Sequence, residues 1–153
     1  MIPRIPAPDA DAQAHSDRLL ALIQAQVQAA GGAIPFSRYM ELALYAPGLG
    51  YYSAGARKFG AAGDFVTSPE LGPTFAECVA QCAADVFAQL GGRADFLELG
   101  GGSGAFAEAA LQHLDAIDAL PAHYLILEPS ADLRERQLER LRSALPDRIV
   151  DRV

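Results

Sequence analysis

One short run constrains this chain more than any other: Phe96-Leu97-Glu98-Leu99-Gly100-Gly101-Gly102-Ser103-Gly104. It reads as a buried strand, an acidic residue, a glycine-rich turn and a helix opening near Ala105. Backbone stripped of side chains at a strand-to-helix turn lets a small ligand come close to the peptide groups. The acid ahead of the glycines selects among such ligands. A carboxylate there repels a dinucleotide pyrophosphate and suits a ligand that carries an ammonium and a sulfonium. Glu98-x-Gly100-x-Gly102-x-Gly104 therefore reads first as an S-adenosylmethionine loop. A dinucleotide loop is the second reading, because Gly100-x-Gly102-x-x-Ala105 also fits the Gly-x-Gly-x-x-Gly/Ala fingerprint. Glu98, and the long helical stretch before the strand, count against that alternative.

From Ala94 onward strand and helix alternate. Phe96–Leu99 is a strand and Ala105–Leu114 a helix. Tyr124–Leu127 is a second strand, ending at Glu128. Pro129-Ser130 opens a helix to about Ala144, with Leu133, Leu138, Leu141 and Leu145 facing inward, and Ile149-Val150 begins a third strand. A β-α-β-α-β run of this kind is the first half of a doubly wound parallel sheet, an α/β fold. The chain thus reads as the N-terminal portion of a larger protein. It leaves an open sheet edge through which it could self-associate. Glu128 sits at the end of the second strand, where an acid in nucleotide-binding sheets takes a ribose diol, since one carboxylate accepts two O–H donors.

Three regions follow from composition and punctuation: a tail over 1–15, a helical region with a covering loop over 16–93, and the sheet half over 94–153. Ser16 caps a first helix to about Ala30, with Leu19, Leu20, Ile23 and Val27 on one face. Ser37 opens a second. A third carries the stripe Phe75, Val79, Cys82, Val86 and Leu90. Its start is ambiguous, because Ser68-Pro69 is a good opening but Pro73 would then fall inside the helix. Between them, residues 47–69 hold many glycines and aromatics, the composition of a lid or binding loop. Its end, Gly63-Asp64-Phe65-Val66-Thr67-Ser68-Pro69-Glu70, sets hydroxyls and carboxylates beside a helix N-terminus.

With 153 residues and 51% hydrophobic composition the chain has enough apolar matter for a core. Its net charge of −7 argues against non-specific nucleic-acid binding. The absence of a long apolar run and of a signal-type N-terminus leads to the expectation of a bacterial cytoplasmic protein with no membrane partner. Cys78 and Cys82 lie four apart with no histidine nearby, so core packing is expected of them and no metal site is. His15, His113 and His123 are scattered.

The segment Gly63–Glu70, together with Tyr39-Met40, Gly50-Tyr51-Tyr52, the Glu98–Gly104 loop and Leu127-Glu128-Pro129-Ser130, resembles the MidA-like methyltransferase family over about residues 33–145. The resemblance implies a Rossmann-like class I S-adenosylmethionine methyltransferase fold preceded by N-terminal helices. It implies that Glu98, Gly100, Gly102 and Gly104 hold the methionine portion of the cofactor and that Glu128 holds the ribose. Gly63, Ser68 and Pro69 would wall the pocket. It further implies a protein substrate, with arginine nitrogen the leading acceptor and a link to respiratory complex assembly. Asp64 and Glu70 are then the carboxylates available to orient a guanidinium and take its proton. Gly101 departs from the family, which often has Ala there, and the family's later Asn/His-Glu segment is absent. Two other readings stand beside this one: a non-catalytic assembly factor with a cofactor-like pocket, and an NAD-linked half-domain for which Arg57 and Lys58 are the only clustered basic pair near the loops.

Overall fold

The computed structural model describes residues 7–55, 63–64, 66–91 and 94–153. Arg57, Lys58, Phe65 and the start of the tail lie outside the described residues, as does the middle of the loop that the sequence marks as a lid. The chain divides into two compact units, Met1–Gly55 and Ala56–Val153.

In the first unit α1 (Ala10–Ala29) packs on α2 (Phe36–Tyr45). Helix α1 begins well before Ser16, because Asp9 caps it by accepting from the Ala12 N–H at 2.8 Å. An aspartate in that place satisfies one of the orphan donors of the first turn. Of the expected face, Leu20 is exposed, and no residue of α1 is fully buried. His15 Nε2 meets the carbonyl of Leu49 at 2.8 Å, and Arg38 donates to Gln26 at 3.1 Å. Gly50 has no alternative: a Cβ there would stand 2.5 Å from the backbone nitrogens of Tyr45 and Ala46.

The second unit holds α3 (Ser68–Leu71), α4 (Thr74–Gln89), β1 (Phe96–Leu99), α5 (Ala105–Ala116), β2 (Tyr124–Leu127), α6 (Ala131–Ala144) and α7 (Asp147–Val150). The ambiguity over Pro73 resolves into two helices: Ser68–Leu71 is a separate turn, and Pro73 caps the long helix, where its missing N–H costs nothing. Helix α4 packs on α5 and so belongs with the second unit, although the sequence grouped it with the N-terminal helices.

The face that α4 buries is not the expected stripe. Ala76, Ala80, Ala84 and Phe87 are buried, while Phe75, Val86, Leu90 and Cys82 are exposed. Alanines spaced by four let two helix backbones come close, and Ala110 and Leu114 of α5 fill the seam. Cys78 is exposed as well, so neither cysteine packs in the core.

Strands β1 and β2 pair in parallel, with Phe96 opposite Tyr124 and Leu99 opposite Leu127. Side chains alternate across the sheet. Phe96, Glu98, Tyr124 and Ile126 share the face that α5 and α6 cover, and the Phe96 and Tyr124 rings stack at 4.9 Å. Leu97, Leu99, Leu125 and Leu127 lie on the other face and are exposed. Two sequence expectations fail at the far end. Leu138 is 37% exposed, whereas Leu133, Leu141 and Leu145 are buried as expected. Ile149-Val150 forms part of α7 and not a strand, because Pro146 starts a helical turn that buries Ile149 against Tyr124 and Leu141. The next backbone contact to the sheet comes two residues later, where the Tyr124 N–H donates to the Arg152 carbonyl at 2.8 Å.

Candidate functional site

The end of β1 opens directly into the glycine loop. Gly100, Gly102 and Gly104 have φ of 75°, 54° and 80°, the left-handed region that glycine alone enters freely. These three turns carry the chain from the strand into α5. The Gly104 cap supplies no side chain to the N-terminus of α5. The amides of Gly101, Gly102 and Ser103 make no backbone hydrogen bond among the described residues. The loop therefore presents donors, as a helix N-terminus does.

Glu98 faces this loop. Its carboxylate accepts from the Tyr124 hydroxyl at 2.8 Å. Burial pushes the Glu98 carboxyl above its ordinary value, and the hydrogen bond from Tyr124 opposes the shift. Tyr124 is pushed up strongly by its own burial and by the neighbouring carboxylate, so its hydroxyl remains a donor. A buried tyrosine needs a partner for its hydroxyl, and here that need aims an acid.

Glu128 lies one residue beyond β2, level with Gly100, while Glu98 stands opposite Ile126. The Gly100 N–H donates to the Leu127 carbonyl at 2.9 Å, which sets Gly100 beside Glu128 at the ends of adjacent strands. Glu128 is buried, and its carboxylate accepts from the Ser130 N–H at 3.0 Å.

A cleft of about 110 Å³ lies over the loop, lined on one side by Thr67, Pro69 and Glu70 and on the other by Glu98, Gly100 and Ser103, among others. The Ser103 hydroxyl donates to the Glu70 carboxylate. This bond ties α3 to the glycine loop. The structure thus brings together Pro69, Glu70, Glu98, Gly100 and Gly102. Gly104 lies below them as the helix cap. Ser68 and Asp64 are exposed and Glu128 is buried, and none of these three, nor Gly63, lines the cleft.

Sequence reasoning passed over Tyr124, Ser103 and Gln137. Gln137 on α6 is buried and donates from Nε2 to the Gly102 carbonyl at 2.9 Å. Its signal was available: Leu133, Gln137 and Leu141 are spaced by four, so a polar residue stands where the helical period calls for an apolar one. Tyr124 was legible as an aromatic at the head of an otherwise aliphatic strand. Among the described residues no cluster of His, Cys, Asp and Glu could hold a metal, and no helix is long and apolar enough to cross a membrane.

Two crystal structures from Burkholderia thailandensis superpose on nearly the whole chain. One, of a protein described as a "likely methyl transferase", is bound to S-adenosyl-homocysteine. It shares 44% identity at a TM-score of 0.82 and covers 98% of this chain and 39% of its own. The other, of a native protein, shares 41% identity at a TM-score of 0.77 and covers 98% of this chain and 37% of its own. They define the class: a Rossmann-like α/β fold of the methyltransferase kind. Residues 78–151 match the family model described as "Putative S-adenosyl-L-methionine-dependent methyltransferase". The mitochondrial protein arginine methyltransferase NDUFAF7 homologue of Drosophila melanogaster is 34% identical over 111 residues, 70% of this chain and 25% of that protein. Its Caenorhabditis elegans counterpart is 32% identical over 115 residues, 72% of this chain and 27% of that protein. The chain belongs to the MidA-like family of S-adenosylmethionine-dependent methyltransferases. It spans about a quarter of the length of these curated relatives.

Proposed function

We propose that this chain supplies cofactor-binding residues of an enzyme that transfers a methyl group from S-adenosylmethionine to a protein nitrogen, with arginine the leading acceptor. The observation that carries the reading is the pair of carboxylates on adjacent strand ends, Glu98 and Glu128, flanking a loop of open amides. The cofactor has an ammonium, a carboxylate and a ribose diol. Glu98 matches the ammonium, the loop amides match the carboxylate, and Glu128 matches the diol. A dinucleotide pyrophosphate finds no such match, because Glu98 would face it. When bound, the cofactor supplies an electrophilic methyl group on sulfonium.

The protein's own part is to hold and to shield. Glu98 is oriented by Tyr124, and Glu70 fastens α3 to the loop as one wall of the cleft. Asp64 is exposed at the approach to α3, and we assign it, with Glu70, to the acceptor side, where a carboxylate would orient a guanidinium and take its proton. Arginine as acceptor is supported by the names of the insect and nematode relatives, and the link to respiratory complex assembly rests on the family resemblance alone. The exposed leucine face and open edge of the sheet support self-association of a chain limited to these residues, which sedimentation at several concentrations reads directly.

Calorimetric titration of the full-length protein with S-adenosylmethionine, S-adenosylhomocysteine and NAD tests the reading. Both sulfur nucleosides should bind and NAD should not. Glu128→Ala should weaken both by roughly tenfold or more, the loss of hydrogen bonds to a charged group. Preference for NAD, or no binding by the folded protein, overturns it. Mass spectrometry of a substrate protein methylated by the enzyme then distinguishes arginine from other acceptors.

A further inference from the structure

The glycine loop rests on two side chains. A Cβ on Gly101 would stand 2.7 Å from Ile126 Cγ2 and 3.1 Å from Gln137 Nε2. A Cβ on Gly104 would stand 3.4 Å from the Gln137 Cα. Ile126 needs no explanation, being an aliphatic residue on the covered face of β2. Gln137 does. It is 3% exposed, in a position flanked one turn away by the buried Leu133 and Leu141. Burying an amide costs free energy unless it is hydrogen-bonded, and a leucine would fill the slot without that cost. The amide finds its partner in the loop itself, at the Gly102 carbonyl.

That bond fixes a direction. The peptide is planar, and no peptide bond among the described residues is cis. In a trans peptide the carbonyl and the following N–H point opposite ways. With the Gly102 carbonyl drawn toward α6, the Ser103 N–H points away from α6. Ser103 lines the cleft and Gln137 does not. The Ser103 amide has no backbone partner among the described residues.

We propose that Gln137 is a positioning residue, whose hydrogen bond to the Gly102 carbonyl holds the Gly102–Ser103 peptide so that the Ser103 N–H is offered to the carboxylate of the bound amino-acid moiety. The proposal rests on the reading of the cleft as an S-adenosylmethionine site. Without the bond the peptide is free to rotate, and the donor is lost although the loop and the fold remain.

The test separates this role from mere support. Full-length wild-type protein and Gln137→Met, which keeps the length and removes the donor, are titrated with S-adenosylhomocysteine and with methylthioadenosine. The second ligand keeps the nucleoside and sulfur and lacks the carboxylate. The variant should bind S-adenosylhomocysteine about tenfold more weakly, the loss expected for one hydrogen bond to a charged group. Its affinity for methylthioadenosine should stay within about twofold of wild type. An equal loss for both ligands, or a loss for neither, overturns the role of Gln137 while leaving the cofactor reading intact. Failure of the wild type to bind S-adenosylhomocysteine overturns the cofactor reading and this one with it. Should Gln137→Met fail to fold, the wild type still decides. The Ser103 amide proton should shift downfield in NMR spectra on adding S-adenosylhomocysteine and not on adding methylthioadenosine. A matching shift with both ligands, or with neither, refutes the proposal.

Discussion

Two strand-to-helix corners lie side by side in the second unit, and they treat their backbone in opposite ways. At the end of β1 the chain turns through three left-handed glycines, and the cap residue of α5, Gly104, has no side chain to offer, so that among the described residues only the Ala105 N–H is met, by Ser103 Oγ at 3.3 Å. At the end of β2 it turns through Pro129 and Ser130 with no glycine at all. There Ser130 caps α6 by accepting from the Leu133 N–H at 3.2 Å. The Glu128 carboxylate takes the Ser130 N–H, and Arg134 donates to the carbonyls of Glu128 and Pro129 at 2.7 Å and 3.0 Å. The second corner satisfies itself. The first leaves donors open and borrows its rigidity from α6, through Gln137, and from α3, through Glu70. Identical topology thus yields one corner whose backbone is left open to a ligand and one whose backbone is satisfied, so that only the Glu128 side chain is offered from it.

The sharpest way to break this contrast is to put a β-branched residue at the open corner. Gly104 has φ of 80°, and valine there is a genuine outlier. Gly104→Val should cost about 2–3 kcal/mol, the upper range for a non-glycine residue held in that region. Binding of S-adenosylhomocysteine should vanish with it. Chemical denaturation of the full-length protein measures the cost. A change under about 0.5 kcal/mol would show that the loop does not need the left-handed cap.

Glu98 sharpens the contrast through pH. Its carboxyl is raised by burial, so the folded protein keeps its proton where the unfolded chain has lost it. The stability this contributes is full below the ordinary glutamate value of 4.5 and is lost as pH rises through the raised folded value. Glu98→Gln removes the charge. It should be more stable than wild type at neutral and alkaline pH, and the gap should close below about pH 4. The same variant should bind S-adenosylhomocysteine at least tenfold more weakly, having lost the anion that meets the ammonium. Urea midpoints over a pH series read the first effect and calorimetry the second. A variant less stable than wild type at pH 8 would refute the burial argument.

Much of this contrast was legible in the sequence, and the reason lies in punctuation. Phe96–Leu99 and Tyr124–Leu127 are bounded by glycines and by Pro129, and both strands fall where the sequence places them. The glycine spacing and the two strand-end acids are local patterns, so they survive without knowledge of packing. The buried face of α4 was not legible. Size argued for Phe75, Val86 and Leu90, but the neighbouring helix is alanine-rich, and close approach selected Ala76, Ala80 and Ala84 instead. Ile149-Val150 has the composition of a strand, and a proline just ahead turned it into a helix. Gln137 was visible as an anomaly in an apolar stripe, yet its partner, 35 positions back in the chain, could be named only from the fold.

The smallest expected effect falls on the closed corner, and it is the control that gives the comparison its meaning. Ser130→Ala removes the cap of α6 and should cost about 1 kcal/mol. The Ser130 N–H remains, so Glu128 keeps its hydrogen bond, and Arg134 still clamps the turn. Affinity for S-adenosylhomocysteine should therefore stay within about twofold while the denaturation midpoint falls. The two corners then separate: change at the open one is read in binding and stability together, and change in the cap of the closed one, which leaves Glu128 in place, in stability alone. If Ser130→Ala weakened binding as much as Glu98→Gln, the cap of α6 would belong with Glu128 to the ligand contacts, and the support that α6 gives the loop could no longer be assigned to Gln137 alone.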